Sequence, residues 1–216
     1  MPRIVCISDT HNCNDQIDVP DGDLLIHSGD ATTVGTVEQI EAFNGWFSDL
    51  PHKRKIFVAG NHDWLFEKDN HLARCLLDPG IVYLQDSSVE IDGIKIYGSP
   101  WQPRFFNWAF NLDRGPQMAE KWAMISNDID ILITHSPPNG ILDLVPREGW
   151  DENTGCEELR KRVEEIAAFR RLKLHVFGHI HSGYGVHEEF GVKFVNASTC
   201  DEHYNPTQSP IVIDLE

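Results

Sequence analysis

Five short patterns end apolar runs in residue types that bind metal ions: Asp9-Thr10-His11, Gly29-Asp30, Gly60-Asn61-His62-Asp63, Thr134-His135 and Gly178-His179-Ile180-His181. Each pattern alone is a weak signal. Together they offer carboxylate, imidazole and amide-oxygen ligands for two divalent cations, and one histidine is left over. Carboxylate and imidazole donors, with no assigned thiolate, suit Mn2+, Fe2+/Fe3+ or Zn2+ better than Ca2+.

Hydrolysis of a phosphate ester calls for such a set. The anion repels hydroxide, and the leaving oxygen is poor. Two cations roughly 3.5–4 Å apart generate a bridging hydroxide, neutralise the phosphate and hold it in line. A bridging carboxylate offsets their mutual repulsion, and a general acid helps on the leaving-group side. Asp9 and His11 flank Thr10, so both can turn toward one ion, to which His181 returns. Asp30 is the natural bridge. Asn61, His135 and His179 supply the second ion. His62 is then free to protonate the leaving oxygen or stabilise the transition state.

These motifs need elements to position them. Strand-type runs occur at 4–8, 24–27, 55–59, 82–84, 89–92, 94–98, 131–134, 174–177, 192–196 and 211–215. The runs at 4–7 and 131–133 are apolar without alternation, which predicts cover on both faces. Asp92-Gly93 has the sequence of a tight hairpin. Thr36-Val37-Glu38-Gln39 reads as a capping box before a helix whose Ile40, Phe43, Phe47 and Leu50 share one face. Thr154-Gly155-Cys156-Glu157 reads as a second box, with Leu159, Val163 and Ile166 buried and Glu157/Lys161 and Glu158/Arg162 as i,i+4 pairs. Pro116 opens a third helix, expected over 116–128. Every motif thus falls at the end of a strand, the edge where open α/β sheets bind ligands.

Composition sets the outer bounds. With 216 residues, one domain over 1–216 is expected. The net charge of -16 disfavours nucleic-acid polymers and anionic membranes, although bound cations can reverse the potential locally. Five cysteines without a CxxC pair indicate neither a disulfide framework nor a zinc knuckle, and fit a reducing compartment. The N-terminal run turns polar too soon for a signal peptide, and no stretch approaches a membrane span, so a cytoplasmic location is expected.

The motif set, in this order, resembles the calcineurin-like metallophosphoesterase superfamily. That resemblance implies a four-layer α/β/β/α sandwich of two mixed β-sheets flanked by helices. It implies Asp9, His11, Asp30 and His181 on one metal, Asp30, Asn61, His135 and His179 on the other, and His62 as the catalytic acid. Gly98-Ser99-Pro100-Trp101-Gln102-Pro103, Asn107-Trp108-Ala109-Phe110-Asn111 and Thr134-His135-Ser136-Pro137-Pro138 are similar to the metallophosphoesterase-domain-containing (brain protein) group, itself similar to class III cyclic-nucleotide phosphodiesterases. The implied activity is hydrolysis of a small phosphodiester or nucleotide. The alternatives are a phosphomonoesterase, or a weakly active purine-nucleotide-binding or scaffold protein. Some members lose a histidine of the last motif; here Gly178-His179-Ile180-His181 is intact. The segment 29–35 lacks the arginine of Ser/Thr phosphoprotein phosphatases, and Thr33 stands where the phosphodiesterases often carry an acid.

Other residues have two readings each. Arg104, Asn111 and His203 are candidate substrate contacts, against loop or structural roles. Asp63 either orients His62 or caps a helix at Trp64. The aromatic segment 101–110 either packs under a loop or stacks on a base. His27 and His175 read as core residues, and His52, His71 and His187 as surface ones. Asn196 either supports the site or caps a turn.

Overall fold

The computed structural model describes residues 2–215; Met1 and Glu216, the ends of the expected domain, lie outside the described residues. In chain order the strands are Arg3–Ile7 (β1), Leu24–His27 (β2), Arg54–Phe57 (β3), Ile81–Tyr83 (β4), Ser87–Ile91 (β5), Ile94–Ser99 (β6), Gln102–Pro103 (β7), Asn111–Leu112 (β8), Ile131–Thr134 (β9), Leu144–Arg147 (β10), Trp150–Asn153 (β11), Leu174–Phe177 (β12), Gly185–Glu189 (β13), Val192–Asn196 (β14) and Ile211–Asp214 (β15). The helices are Val37–Asp49 (α1), Trp64–Lys68 (α2), Asn70–Cys75 (α3), Pro116–Ala123 (α4) and Glu157–Ala167 (α5).

Two large sheets carry the fold. One has the order β15-β1-β2-β3-β4, the other β13-β14-β12-β9-β6-β5. Their central strands run parallel, and the antiparallel partners β15, β13 and β5 lie at edges. Side-chain alternation sorts each central strand between two cores. Ile4, Cys6, Ile26 and Ile56 face inward against Ile96, Ile131, Ile133 and Val176 of the second sheet. Val5, Ile7 and Phe57 face outward against Ile40, Phe43 and Phe47 of α1. Leu132, Phe177 and Phe194 face the other outer layer, Met118 and Trp122 of α4 and Leu159, Val163 and Ile166 of α5. Helices, sheet, sheet and helices therefore make the expected four layers. The unbroken apolar runs of β1 and β9 follow from cover on both faces.

The helix starts depart from the expected boxes. Thr36 does accept the Gln39 N–H, at 3.3 Å. The Gln39 side chain turns instead to the Val34 N–H and to the Thr33 hydroxyl. The cap of α5 is Cys156, whose Sγ accepts the Leu159 N–H, while Thr154 donates to the Asp143 carbonyl. On α5 the ion pairs are Arg160–Glu164 and Arg162–Glu165, because Glu157 is taken by Arg114 and Glu158 by the Gly115 N–H. Helix α4 stops at Ala123, short of 128, and Ile125 and Ile129 pack into the core beyond it. His27 and His175 are buried, as expected; His52, expected on the surface, is buried too and its Nε2 lies 2.9 Å from the Pro20 carbonyl. None of the helices among the described residues is long and apolar enough to cross a membrane.

Candidate metal centre

Five loops leave the carboxyl ends of β1, β2, β3, β9 and β12 and meet at one edge of the two sheets. A bridge between Ser8 and Ser198 ties the end of β1 to the chain just beyond β14, so the two sheets are joined at that edge. The loops turn sharply. Asp9, His11, Asp30 and His179 all have positive φ (53°, 42°, 53° and 68°), a conformation that costs non-glycine residues of order 1–3 kcal/mol and persists where surrounding contacts enforce it. The enforcing contacts are backbone bonds between loops. Asp9 N donates to the Gly29 carbonyl (2.8 Å), His11 N to Asp30 (3.0 Å) and Gly178 N to His135 (2.9 Å).

Glycine in these motifs makes room for a neighbour. A Cβ on Gly60 would strike the Asp30 carboxylate and the His135 ring, and one on Gly178 would strike the Asp9 carboxylate and the Ser8 hydroxyl. The small residue is thus needed for the close approach of side chains from other loops.

Three groups of candidate ligand atoms converge: Asp9, His11 and His181; His11, Asp30 and His62; and Asp30, His135 and His179, each group spanning no more than 4.8 Å. Asp30 belongs to two of them. Its Oδ2 lies 3.4 Å from His135 Nε2 and 3.9 Å from both His11 Nε2 and His62 Nε2. Asp9 Oδ1 lies 3.3 Å from His181 Nε2, which is 3.4 Å from His11 Nε2. Asn61 Oδ1 lies 2.9 Å from His135 Nε2. The structure therefore brings together all eight residues, Asp9, His11, Asp30, Asn61, His62, His135, His179 and His181.

Backbone carbonyls aim the imidazoles. Nδ1 of His135 donates to Ser28 (3.0 Å), that of His181 to Asp201 (2.8 Å) and that of His62 to Thr33 (2.7 Å). Each Nε2 is thereby turned toward the carboxylates, an outer arrangement usual for metal-bound imidazole. The donor set fits a divalent cation: buried Asp9 and Asp30 face imidazole nitrogens whose other edge is already committed. Cys13 stands apart, its thiol directed at the His11 and Tyr204 carbonyls.

The charges bear this out. Burial opposes ionisation of Asp9, but the hydrogen bond and charge of His181 outweigh it and hold the carboxyl well below its usual range. Burial opposes Asp30 likewise, and His135 and His62 hold it low. Against burial, Asp30 pushes His135 up to about 9 and Asp9 pushes His181 up to about 9. His11 and His179 are pulled down by burial to about 4 and about 3. Two imidazoles thus hold protons where a dication would take the same field.

Supporting residues surround the clusters. Ser198 Oγ donates to Asp9 Oδ2 (2.9 Å), and the His179 N–H reaches the same carboxylate. Asn196 donates to the carbonyl of Ile180, between His179 and His181, so it supports the site. Asp63 stands at the N-cap position of α2, but its side chain neither bonds that helix end nor reaches the His62 ring. Its carboxylate accepts N–H bonds from Gly60, Ala31 and Thr32, stapling the Asp30 loop to the Asn61 loop. Burial, with Asp30 nearby, pushes its pKa up to about 6. At the position where an acid was missing, the carbonyl of Thr33 takes the bond from His62.

A cleft of about 510 Å³ opens over the clusters, lined among others by Asp30, Asn61, His62, His179 and His181. Arg104 lies on its wall, paired with Asp113 at 2.6 Å. Arg114 lies there too, tied to the Gly155 and Thr154 carbonyls and to Glu157. Asn111 and His203, the other two candidate contacts, are not among the residues lining the cleft. Asn111 Nδ2 donates to the Phe105 and Phe106 carbonyls and holds the aromatic loop in shape, and the exposed His203 yields its place to Tyr204. The ring of Tyr204 lies 4.8 Å from that of His11 and 5.4 Å from that of His181. Its placement depends on Asp201, whose carboxylate accepts the His203 and Asn205 N–H groups, and on a φ of 62° at Tyr204 itself. The β10–β11 hairpin, with no expected strands, supplies Val145, Arg147 and Glu152 to the wall; its sequence has no alternating pattern that would have revealed it. In the aromatic segment Ala109 and Phe110 are buried, as packing under a loop would have it, while Phe105 lines the cleft.

Comparison with known proteins agrees with this geometry. The calcineurin-like phosphoesterase family model matches residues 2–183, a span that contains every cluster residue. The chain is 44% identical over 237 residues to metallophosphoesterase domain-containing protein 1 of Homo sapiens, covering 99% of this chain and 71% of that protein, and equally similar to the Mus musculus protein of the same name. It is 40% identical to a UPF0046 protein of Caenorhabditis elegans, covering 97% of this chain and 74% of that one. With four layers, a shared sheet edge and the five loops in this order, the chain belongs to the calcineurin-like phosphoesterase family.

Proposed function

We propose that the chain is a single-domain dinuclear phosphodiesterase of small substrates, with His62 as general acid. The observation that carries this reading is the placement of Asp30 Oδ2, which faces His135 and His11 from two clusters and lies 3.9 Å from His62 Nε2. Asp9, His11, Asp30 and His181 would hold one cation, and Asp30, Asn61, His135 and His179 the second. When bound, cations of the Mn, Fe or Zn type would supply Lewis acidity and neutralise phosphate charge.

The chain's own residues do the rest. The Thr33 carbonyl takes the Nδ1–H of His62, so Nε2 is the nitrogen that faces the carboxylates, and it is the imidazolium form that would give an Nε2 proton to the leaving oxygen. Three guanidinium groups on the wall are each held by a carboxylate: Arg104 by Asp113, Arg114 by Glu157 and Arg147 by Glu152. Among the described residues lining it, no arginine or lysine is left uncommitted for the second charge of a phosphomonoester. A diester carries one charge less and a second alcohol, which the cleft beside Phe105, Val145 and Tyr204 has room to take. A cyclic nucleotide has that size and an aromatic face for stacking. The charge of -16 supports a small substrate over a nucleic-acid polymer or a membrane, and the five free cysteines support a cytoplasmic location.

The test is Mn2+-supported hydrolysis of bis-p-nitrophenyl phosphate beside p-nitrophenyl phosphate. Diester turnover well above monoester turnover supports the reading. Faster monoester turnover replaces it with a phosphomonoesterase, and silence on both with metals bound turns it into a nucleotide-binding protein.

A further inference from the structure

The orientation of His62 is fixed by more than its hydrogen bond. Nδ1 meets only a neutral carbonyl, that of Thr33. The final torsion of an imidazole side chain is broad, so one such bond leaves the ring plane poorly determined. The indole of Trp108 lies against that plane. The ring centroids are 4.1 Å apart and the planes differ by 29°. His11 meets the ring edge-on at 4.7 Å. Trp108 is itself anchored to the loop it serves: the Ala109 N–H donates to the Asn61 carbonyl (3.2 Å), and the Phe110 N–H to Glu67 of α2 (2.8 Å). Trp108 is not among the residues lining the cleft, and its contact with the site is the stacked ring of His62.

We propose that Trp108 is a positioning residue that holds the plane of His62 so that Nε2 aims at the leaving oxygen, a role that rests on the reading of His62 as the acid. A misaimed acid matters in proportion to the basicity of the leaving group. An activated nitrophenolate departs with little help, whereas a phenolate needs the proton. Loss of Trp108 therefore slows turnover of poor leaving groups selectively, with substrate binding unchanged.

The experiment compares kcat and KM of the Mn2+-loaded protein on bis-p-nitrophenyl phosphate and on diphenyl phosphate, for the parent, Trp108→Leu, Trp108→Phe, His62→Gln and the double variant Trp108→Leu/His62→Gln, with metal content measured for each. In Trp108→Leu, kcat on diphenyl phosphate should fall about ten- to hundred-fold further than on the activated diester, part of the 10²–10⁴ that a placed acid supplies. KM should hold, Trp108→Phe should restore most of the rate, and the double variant should be no slower than His62→Gln. Equal losses of Trp108→Leu on both diesters, or a double variant whose losses multiply, overturn the proposal. If Trp108→Leu fails to fold or to hold metal, the Phe variant decides: a loss on diphenyl phosphate beyond about tenfold there rejects stacking as the cause. Should His62→Gln itself leave the two substrates equally affected, the acid assignment falls and takes this role with it. If His62→Gln discriminates and Trp108→Leu does not, only the role of Trp108 is lost.

Discussion

Nε2 of His27 lies 3.1 Å from the hydroxyl of Thr10, the residue between Asp9 and His11. His27 Nδ1 accepts the Gly29 N–H at 3.2 Å, so Nε2 bears the proton and donates it to Thr10, which donates onward to the Ala31 carbonyl. One buried imidazole thus ties the Asp9 loop to the Asp30 loop. The second sheet repeats the device: His175 Nε2 lies 2.9 Å from Thr134 Oγ1, which donates to Ser136 across His135. Burial pulls both imidazoles down to about 3, so both are neutral donors.

Thr10→Val keeps the shape and removes the acceptor. The stranded His27 donor should cost about 1–3 kcal/mol, lowering Tm by about 2–4 °C per kcal/mol. Metal affinity should weaken about 10–100-fold, as for other residues that orient ligands. Isothermal titration with Mn2+ and a thermal melt measure both. Unchanged affinity would show that the Thr10–His27 bond serves stability alone.

Asp30→Ala removes the carboxylate shared by two clusters. Bound metal should fall from two per chain toward none, and hydrolysis with it. Elemental analysis of the dialysed protein checks this, and full metal content in the variant would refute Asp30 as the bridge.

His62→Gln leaves the carboxylates and the other histidines in place. Metal content should persist while kcat on a diester with a poor leaving group drops by roughly two to four orders of magnitude. A variant as fast as the parent rules His62 out as the acid.

Metal uptake should release protons. His135 and His181 sit at about 9 without metal, so both are protonated at pH 7, while binding requires neutral imidazole. Affinity should therefore rise with pH between 7 and 9, and the apparent enthalpy should change with the buffer's ionisation enthalpy. Stability of the metal-free chain runs the other way. A histidine raised from 6.5 to about 9 contributes stability fully present below 6.5 and lost as pH climbs through 9. The metal-free Tm should fall across that window. A buffer-independent enthalpy contradicts the protonated state of the pair.

Gly178→Ala places a methyl against the Asp9 carboxylate and the Ser8 hydroxyl. Asp9 must shift, so the cluster of Asp9, His11 and His181 should lose its cation first. One metal per chain in place of two is the expected count, and two retained would falsify the close-approach argument.

Much of this molecule was legible in the order of its residues. Ten apolar runs became strands, and the ligand motifs ended five of them, because parallel strands buried on both faces must be apolar and their exits are free to be polar. The motif residues Asp9, His11, Asp30, Asn61, His62, His135, His179 and His181 were legible by type and order. The contacts that Tyr204, Trp108 and Ser198 make, and the β10–β11 hairpin, were not, since neither type nor spacing says which distant residue each meets. Trp108 reads as one aromatic among several in its segment, yet it is the one stacked on His62, through a loop pinned by the Asn61 carbonyl. Asn111 and His203 fit a cleft by sequence and miss it in space. Asn111 spends its amide on the Phe105 and Phe106 carbonyls, and the turn at Asp201 presents Tyr204 in place of its neighbour. Chemical identity and strand pattern are local properties, so the sequence by itself determined the donor set, the strands and the strand ends where the donors sit, while the four layers were what the family resemblance implied. Which side chains aim the histidines and wall the cleft depends on contacts between segments far apart in the chain, and only the tertiary structure decided those.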